Sequence, residues 1–191
     1  MAKTVRYLPS YYIEEQVRII LCKAQEMGFY DFDGPTPLDL IVEKVCDLRI
    51  IFRDLRGDLE GVIGMLDLEN KSIWLDNSLN HLETDQFCDE GRCNFTIAHE
   101  IGHFALKHVE HGDGNLLAFQ DESDPKTKKI ETQANMFAAM LLMPSELFCK
   151  KWAEIFKHRS DFDCSVTKMM IFFRSSREAT LHRLRTLDLQ E

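Results

Sequence analysis

No apolar run in these 191 residues is long enough to cross a bilayer. The N-terminal stretch Met1-Ala2-Lys3-Thr4-Val5-Arg6-Tyr7 carries positive charge but no apolar segment of secretory length, so the expected compartment is the cytoplasm and no membrane contact is expected. Cysteine pairs are lacking: Cys22, Cys46, Cys88, Cys93, Cys149 and Cys164 are spread along the chain without the paired spacing of a zinc ribbon, and all six are expected to be free thiols. Excess positive charge is also missing. The net charge of −9 argues against a surface built for nucleic acid, and none is expected as a direct partner. All four tyrosines lie at or before Tyr30, so the sequence does not guarantee a tyrosine beside residues later in the chain.

What is present is the composition of an ordinary globular protein, with 45% hydrophobic and 29% charged residues. Val17, Ile20, Leu21 and Ala24 recur at helical spacing and predict a helix from about Ile13 to Met27, stopped at Gly28. Pro37-Leu38-Asp39 opens a second helix to about Cys46. Three short β-rich runs follow, at residues 49–52, 61–66 and 72–76, and their close spacing predicts an antiparallel meander. A polar connection over 83–93 leads to a helix from about Asn94 to His108, with Gly112-Asp113-Gly114 as its break. Residues 120–129 read as a surface loop. A largely apolar helix from about Lys129 to Met143 ends at Pro144, and two more helices fill the rest of the chain. Residues 157–185 hold seven Lys/Arg against three Asp/Glu, a positive tail on an acidic protein.

The chemistry is concentrated in His99-Glu100-Ile101-Gly102-His103. On a helix, residues four apart share a face, so His99 and His103 can bind one zinc ion from the same side. Zinc lowers the pKa of a coordinated water to about 7. Glu100, one position on, is placed to take that water's proton and return it to a leaving amine. Ile97, Ala98, Ile101, Phe104 and Ala105 supply the apolar side that seats such a helix. A third protein ligand is required. Val109 stands where one large class of zinc hydrolases has a histidine, which excludes that class. Glu131, a polar residue at the start of the next apolar helix, is a candidate ligand; an acid favoured near a helix N-terminus is the alternative. Asn135, one turn further on the same face, is a candidate to hydrogen-bond a ligand.

Three stretches resemble the ImmA/IrrE family of zinc metallopeptidases: Arg92 to Phe104, Glu131 to Pro144 with its Ala134-Asn135 and Leu141-Leu142-Met143-Pro144, and more weakly Ser175 to Leu187. The resemblance implies zinc held by His99, His103 and Glu131, and Glu100 as the catalytic residue of a gluzincin-like metalloprotease. It also implies helix-turn-helix transcriptional repressors as protein substrates. Asp188 stands where glycine is common in the family.

The expected fold is α+β: a zincin-like catalytic domain over 1–156 with a small three-stranded antiparallel sheet packed on helices, and a helix-turn-helix-like appendage over 157–191 packed on it. Candidate transition-state donors are His108, His111 and Arg92. Residues 72–76 read as an edge strand to which a substrate segment could add through Ile73, Trp74 and Leu75; an ordinary sheet strand is the alternative. The expected function is site-specific cleavage of a repressor, and the alternative is a zinc-bearing regulator that binds a repressor or other protein without hydrolysis.

Overall fold

The computed structural model describes residues 8–55, 61–80, 87–108, 125–156 and 161–189. His111, the Gly112-Asp113-Gly114 break and residues 120–124 of the expected loop lie outside them, as does the Cys88 side chain. The fold is mixed α+β and mostly helical.

Helix α1 (Ser10–Glu26) buries Ile13, Val17, Ile20, Leu21 and Ala24, the stripe its spacing predicts. It starts earlier than expected because Pro9, already at helix-compatible φ, offers its carbonyl to Tyr12 and Ile13. It ends where Gly28 takes φ +81°, a left-handed conformation that costs glycine nothing. A short helix, α2 (Leu38–Leu40), widens into a π turn over Ile41–Val45 and buries Leu38, Ile41 and Val42.

The sheet contains β1 (Arg49–Arg53), β2 (Gly64–Asp67) and β3 (Ser72–Asp76), in the order β1-β3-β2. β2 and β3 form an antiparallel hairpin with Gly64 opposite Leu75. Its turn is held by the Asp67 carboxylate, which accepts from the Asn70 amide N–H (3.0 Å) and side chain (2.7 Å). β1 runs parallel to β3, Arg49 opposite Ser72 and Arg53 opposite Asp76. The expected antiparallel meander is therefore corrected to a mixed sheet. Only β2 and β3 are joined by a tight turn. The chain from 54 to 63 is long enough to set the hairpin down with β3, not β2, beside β1. β3 is consequently the central strand, and Ile73 and Leu75 on it are fully buried.

Helix α3 (Phe87–Ala105) packs against β2 and β3 on one flank and α4 (Pro125–Leu142) on the other. Both start earlier than expected. The polar segment 87–93 is helical, and Gly91 permits it: a Cβ there would lie 2.6 Å from the Ser176 backbone nitrogen. α5 (Ser145–Phe156), α6 (Phe162–Phe173) and α7 (Arg177–Thr186) complete the chain. Phe148 and Phe173 meet with ring centroids 5.3 Å apart in the same core that includes Leu141 and Trp152. Ser176 caps α7 by accepting from the Ala179 N–H. Cys22, Cys46, Cys93, Cys149 and Cys164 are free. Among the described residues, no helix is long and apolar enough to cross a membrane.

Candidate metal centre

The close approach of α3 and α4 starts at Gly102. A Cβ there would lie 3.2 Å from Ala134 Cα, from the Ala134 carbonyl oxygen and from Phe137 Cβ, so the bare glycine lets the two backbones nearly touch. That contact brings Glu131 of α4 opposite His99 and His103 of α3. His99 Nε2 lies 3.0 Å from Glu131 Oε2, His103 Nε2 lies 3.5 Å from Glu131 Oε1, and the two Nε2 atoms are 2.8 Å apart. His103 is almost sealed at 2% exposure, while 34% of the Glu131 side chain remains open to solvent.

The donor set fits a zinc ion. Two imidazoles and one carboxylate are the ligands of one group of catalytic zinc sites, with a fourth position left for water or substrate. Bonds of about 2.1 Å in a tetrahedron place ligand atoms about 3.4 Å apart, close to the separations in this triad. All three donors lie within 4.8 Å of one another.

The electrostatics of the cluster are those of opposed charges in a partly dry site. Burial pushes the Glu131 carboxyl up, but hydrogen bonds and charge from His103 and His99 outweigh it and hold it well below the usual carboxylate range. Burial disfavours charge on His99, yet its contact with Glu131 and the charges of Glu100 and Glu131 raise it above its ordinary value. His99 Nδ1 faces Asn135 Oδ1 at 2.9 Å. An amide oxygen only accepts, so the Nδ1–H donates and the Nε2 lone pair turns toward the triad.

Glu100 occupies the next flank of α3, about 60° around the helix from His103 and against β2. It is 6% exposed, and burial raises its carboxyl above the ordinary value against the pull of His103 and His99. The Leu66 backbone N–H donates to it. A Cβ on Gly64 would lie 3.2 Å from Glu100 Oε1 and 2.3 Å from Thr96 Cγ2, so this strand must carry glycine at its start for the carboxylate to sit as it does.

The other expected site residues fare differently. His108 is not turned outward as a donor to substrate: Nδ1 faces His103 Nδ1 at 3.1 Å and Nε2 faces Gln133 Oε1 at 2.9 Å. Burial, then the charge of His103, lowers its pKa to about 4. Arg92 is exposed two helical turns before His99, about 10 Å along the axis. The edge-strand reading of residues 72–76 is corrected, because β3 is paired on both sides; the outer strands are β1 and β2. Ile73 and Leu75 face the interior, and Trp74 lies under the Arg53 guanidinium at 4.3 Å and donates to Ser72 Oγ. The sequence reading missed Gln133, Gly64 and the Leu66 amide. Gln133 had a signal: a polar residue inside an apolar helix needs a partner, the same reasoning that singled out Glu131.

No curated protein matches the chain. A solved chain described as a Mycobacterium tuberculosis transcriptional regulator is similar in fold, with a TM-score of 0.56 and 16% identity over 92% of this chain and 47% of that one. This chain thus spans about half the length of that regulator. The model of the peptidase M78 family, described as an IrrE N-terminal-like domain, matches residues 85–185, which include α3, α4 and the whole donor triad. The chain belongs to this IrrE N-terminal-like family, whose classification as a peptidase agrees with a site able to hold a metal ion.

Proposed function

We propose that this chain is a zinc-dependent, site-specific endopeptidase with a zincin-like catalytic fold, acting on a transcriptional repressor in the cytoplasm. The observation that carries the reading is the convergence of His99, His103 and Glu131 on one point, with the buried Glu100 on the next flank of the same helix. His99, His103 and Glu131 would hold the metal. Zinc, when bound, supplies a Lewis acid that polarises a carbonyl and makes water more acidic. Glu100 takes the proton of the attacking water on its carboxylate and delivers it to the leaving amine. Burial suits it to both duties, because a raised pKa makes the carboxylate a better proton acceptor and its conjugate acid persists at higher pH. The Leu66 amide orients that carboxylate.

A substrate segment would lie along β2, the outer strand beside α3, rather than along the central β3. Division into a catalytic unit over 1–156 and a helical unit over 157–191 belongs to the same proposal. Its support is the α6–α7 helix pair, which docks on α5 through Phe173 and Phe148. The repressor as substrate rests on the family resemblance. The regulator-like fold of the solved neighbour is compatible with it.

The test is co-expression with the repressor encoded beside the gene, with and without a chelator. The wild-type chain should yield discrete fragments that disappear on chelation. Glu100→Gln should retain zinc while cleavage falls by about 10²–10⁴-fold. Relief of repression that survives Glu100→Gln unchanged would instead favour the non-hydrolytic regulator.

A further inference from the structure

His103 has two ring nitrogens with different neighbours. Nε2 belongs to the donor triad, and Nδ1 lies 3.1 Å from His108 Nδ1. The backbone puts His108 there. Lys107 takes φ +55° and ends α3, with the Lys107 N–H donating to the Phe104 carbonyl and the His108 N–H to the His103 carbonyl at 3.0 Å. This left-handed cap folds the chain back so that the two rings meet edge to face, centroids 5.2 Å apart. On its far side, His108 Nε2 lies 2.9 Å from Gln133 Oε1 on α4.

Two ring nitrogens facing each other need one proton between them wherever no cation is to lie between them, as it would between the Nε2 atoms of the triad. If the Gln133 oxygen accepts from His108 Nε2–H, then His108 Nδ1 carries a lone pair and must receive the His103 Nδ1–H. His103 Nε2 is then left with a lone pair directed into the triad. Were the Gln133 amide reversed, each of these protons would move to the other nitrogen, and His103 would present an N–H to the triad and could not ligate. One buried amide oxygen therefore sets the direction of the whole chain.

We propose that His108 and Gln133 are positioning residues that fix the metal-ready tautomer of His103, a task Asn135 performs for His99 in a single step. Both histidines of α3 are thereby oriented from α4, the helix that supplies Glu131. The inference rests on the metal-centre reading above.

The experiment measures zinc affinity by competition with a chromophoric chelator, and the visible absorption bands of the cobalt-substituted protein. His108→Phe keeps a ring but removes both hydrogen bonds; it should weaken zinc binding by about 10–100-fold and shift the cobalt bands. His108→Gln can accept from His103 and donate to Gln133, and should bind within about threefold of the wild type. Gln133→Leu should weaken binding in the same direction as His108→Phe. It interrogates the chain from the other helix, so the test does not depend on one variant folding; circular dichroism of each metal-free variant checks the fold. Wild-type cobalt bands and zinc affinity within about threefold in both His108→Phe and Gln133→Leu would overturn the positioning role while leaving the metal centre standing. A wild-type chain that takes up no zinc would overturn the metal centre, and the positioning role with it.

Discussion

The two flanks of α3 meet different kinds of neighbour. Toward α4 the contact is helix on helix, and its spacing is set by main chain, since Gly102 rests on the Ala134 backbone. Toward β2 the contact is helix on strand, and its spacing is set by a missing side chain on the strand, Gly64, over Thr96 and Glu100. The donor triad is assembled on the first flank and the buried carboxylate on the second. In the proposed reading one helix serves both metal holding and proton handling, each with a separate partner, so the two should be separable by substitution.

The largest effect should come from breaking the α4 flank directly. Glu131→Ala removes one of three donors, and zinc affinity by chelator competition should fall by more than the roughly 10–100-fold that loss of a supporting residue costs. On the other flank, Gly64→Ala should displace Glu100 and Thr96. Cleavage should drop about 10–100-fold, short of the ~10²–10⁴-fold cost of losing the base altogether, with zinc stoichiometry unchanged. A Gly64→Ala variant that lost zinc but not turnover would reverse the assignment of the flanks. Gly102→Val should push α3 and α4 apart and cost about 1–3 kcal/mol in urea denaturation, together with weakened zinc binding.

The smallest effect comes from a buried thiol two turns before Glu100 on α3. Cys93 is 1% exposed, and burial pushes its thiol up to about 12; the buried Cys46 behaves alike. An unfolded thiol loses its proton near 9, whereas the folded one keeps it, so the native state binds more protons between those values. Stability is accordingly full below pH 9 and falls as pH rises, by up to about 1.4 kcal/mol per pH unit for each thiol. Cys93→Ala should flatten the alkaline limb of a stability–pH curve without altering zinc affinity at neutral pH.

The helical flank was legible in the sequence because its information is local. His99 and His103 are one turn apart, and Glu131 and Asn135 announce themselves as polar groups in an apolar helix. The strand flank was not, because pairing partners in a sheet are chosen by the whole fold. Nothing in residues 49–53 states that they will lie parallel to 72–76 rather than antiparallel to 64–67. The same limit explains His108. Its proximity to His103 in sequence was visible, but the direction of its ring depends on a left-handed Lys107, a conformation that glycine more often signals. The early start of α3 was hidden by Gly91, which reads as a breaker until the α6–α7 corner is seen resting against it.

Arg183 on α7 is 4% exposed and spends its hydrogen bonds on the α4–α5 corner, with Nε donating to the Met143 carbonyl at 3.0 Å and the guanidinium also reaching Ser145 Oγ at 2.9 Å. The helix bearing Glu131 is therefore tied off, at the residue just past its end, by a side chain 40 positions downstream of Met143. During synthesis, the histidines and the glutamate emerge from the ribosome well before the guanidinium that secures their scaffold. That tie can form only when almost the entire described chain has been made.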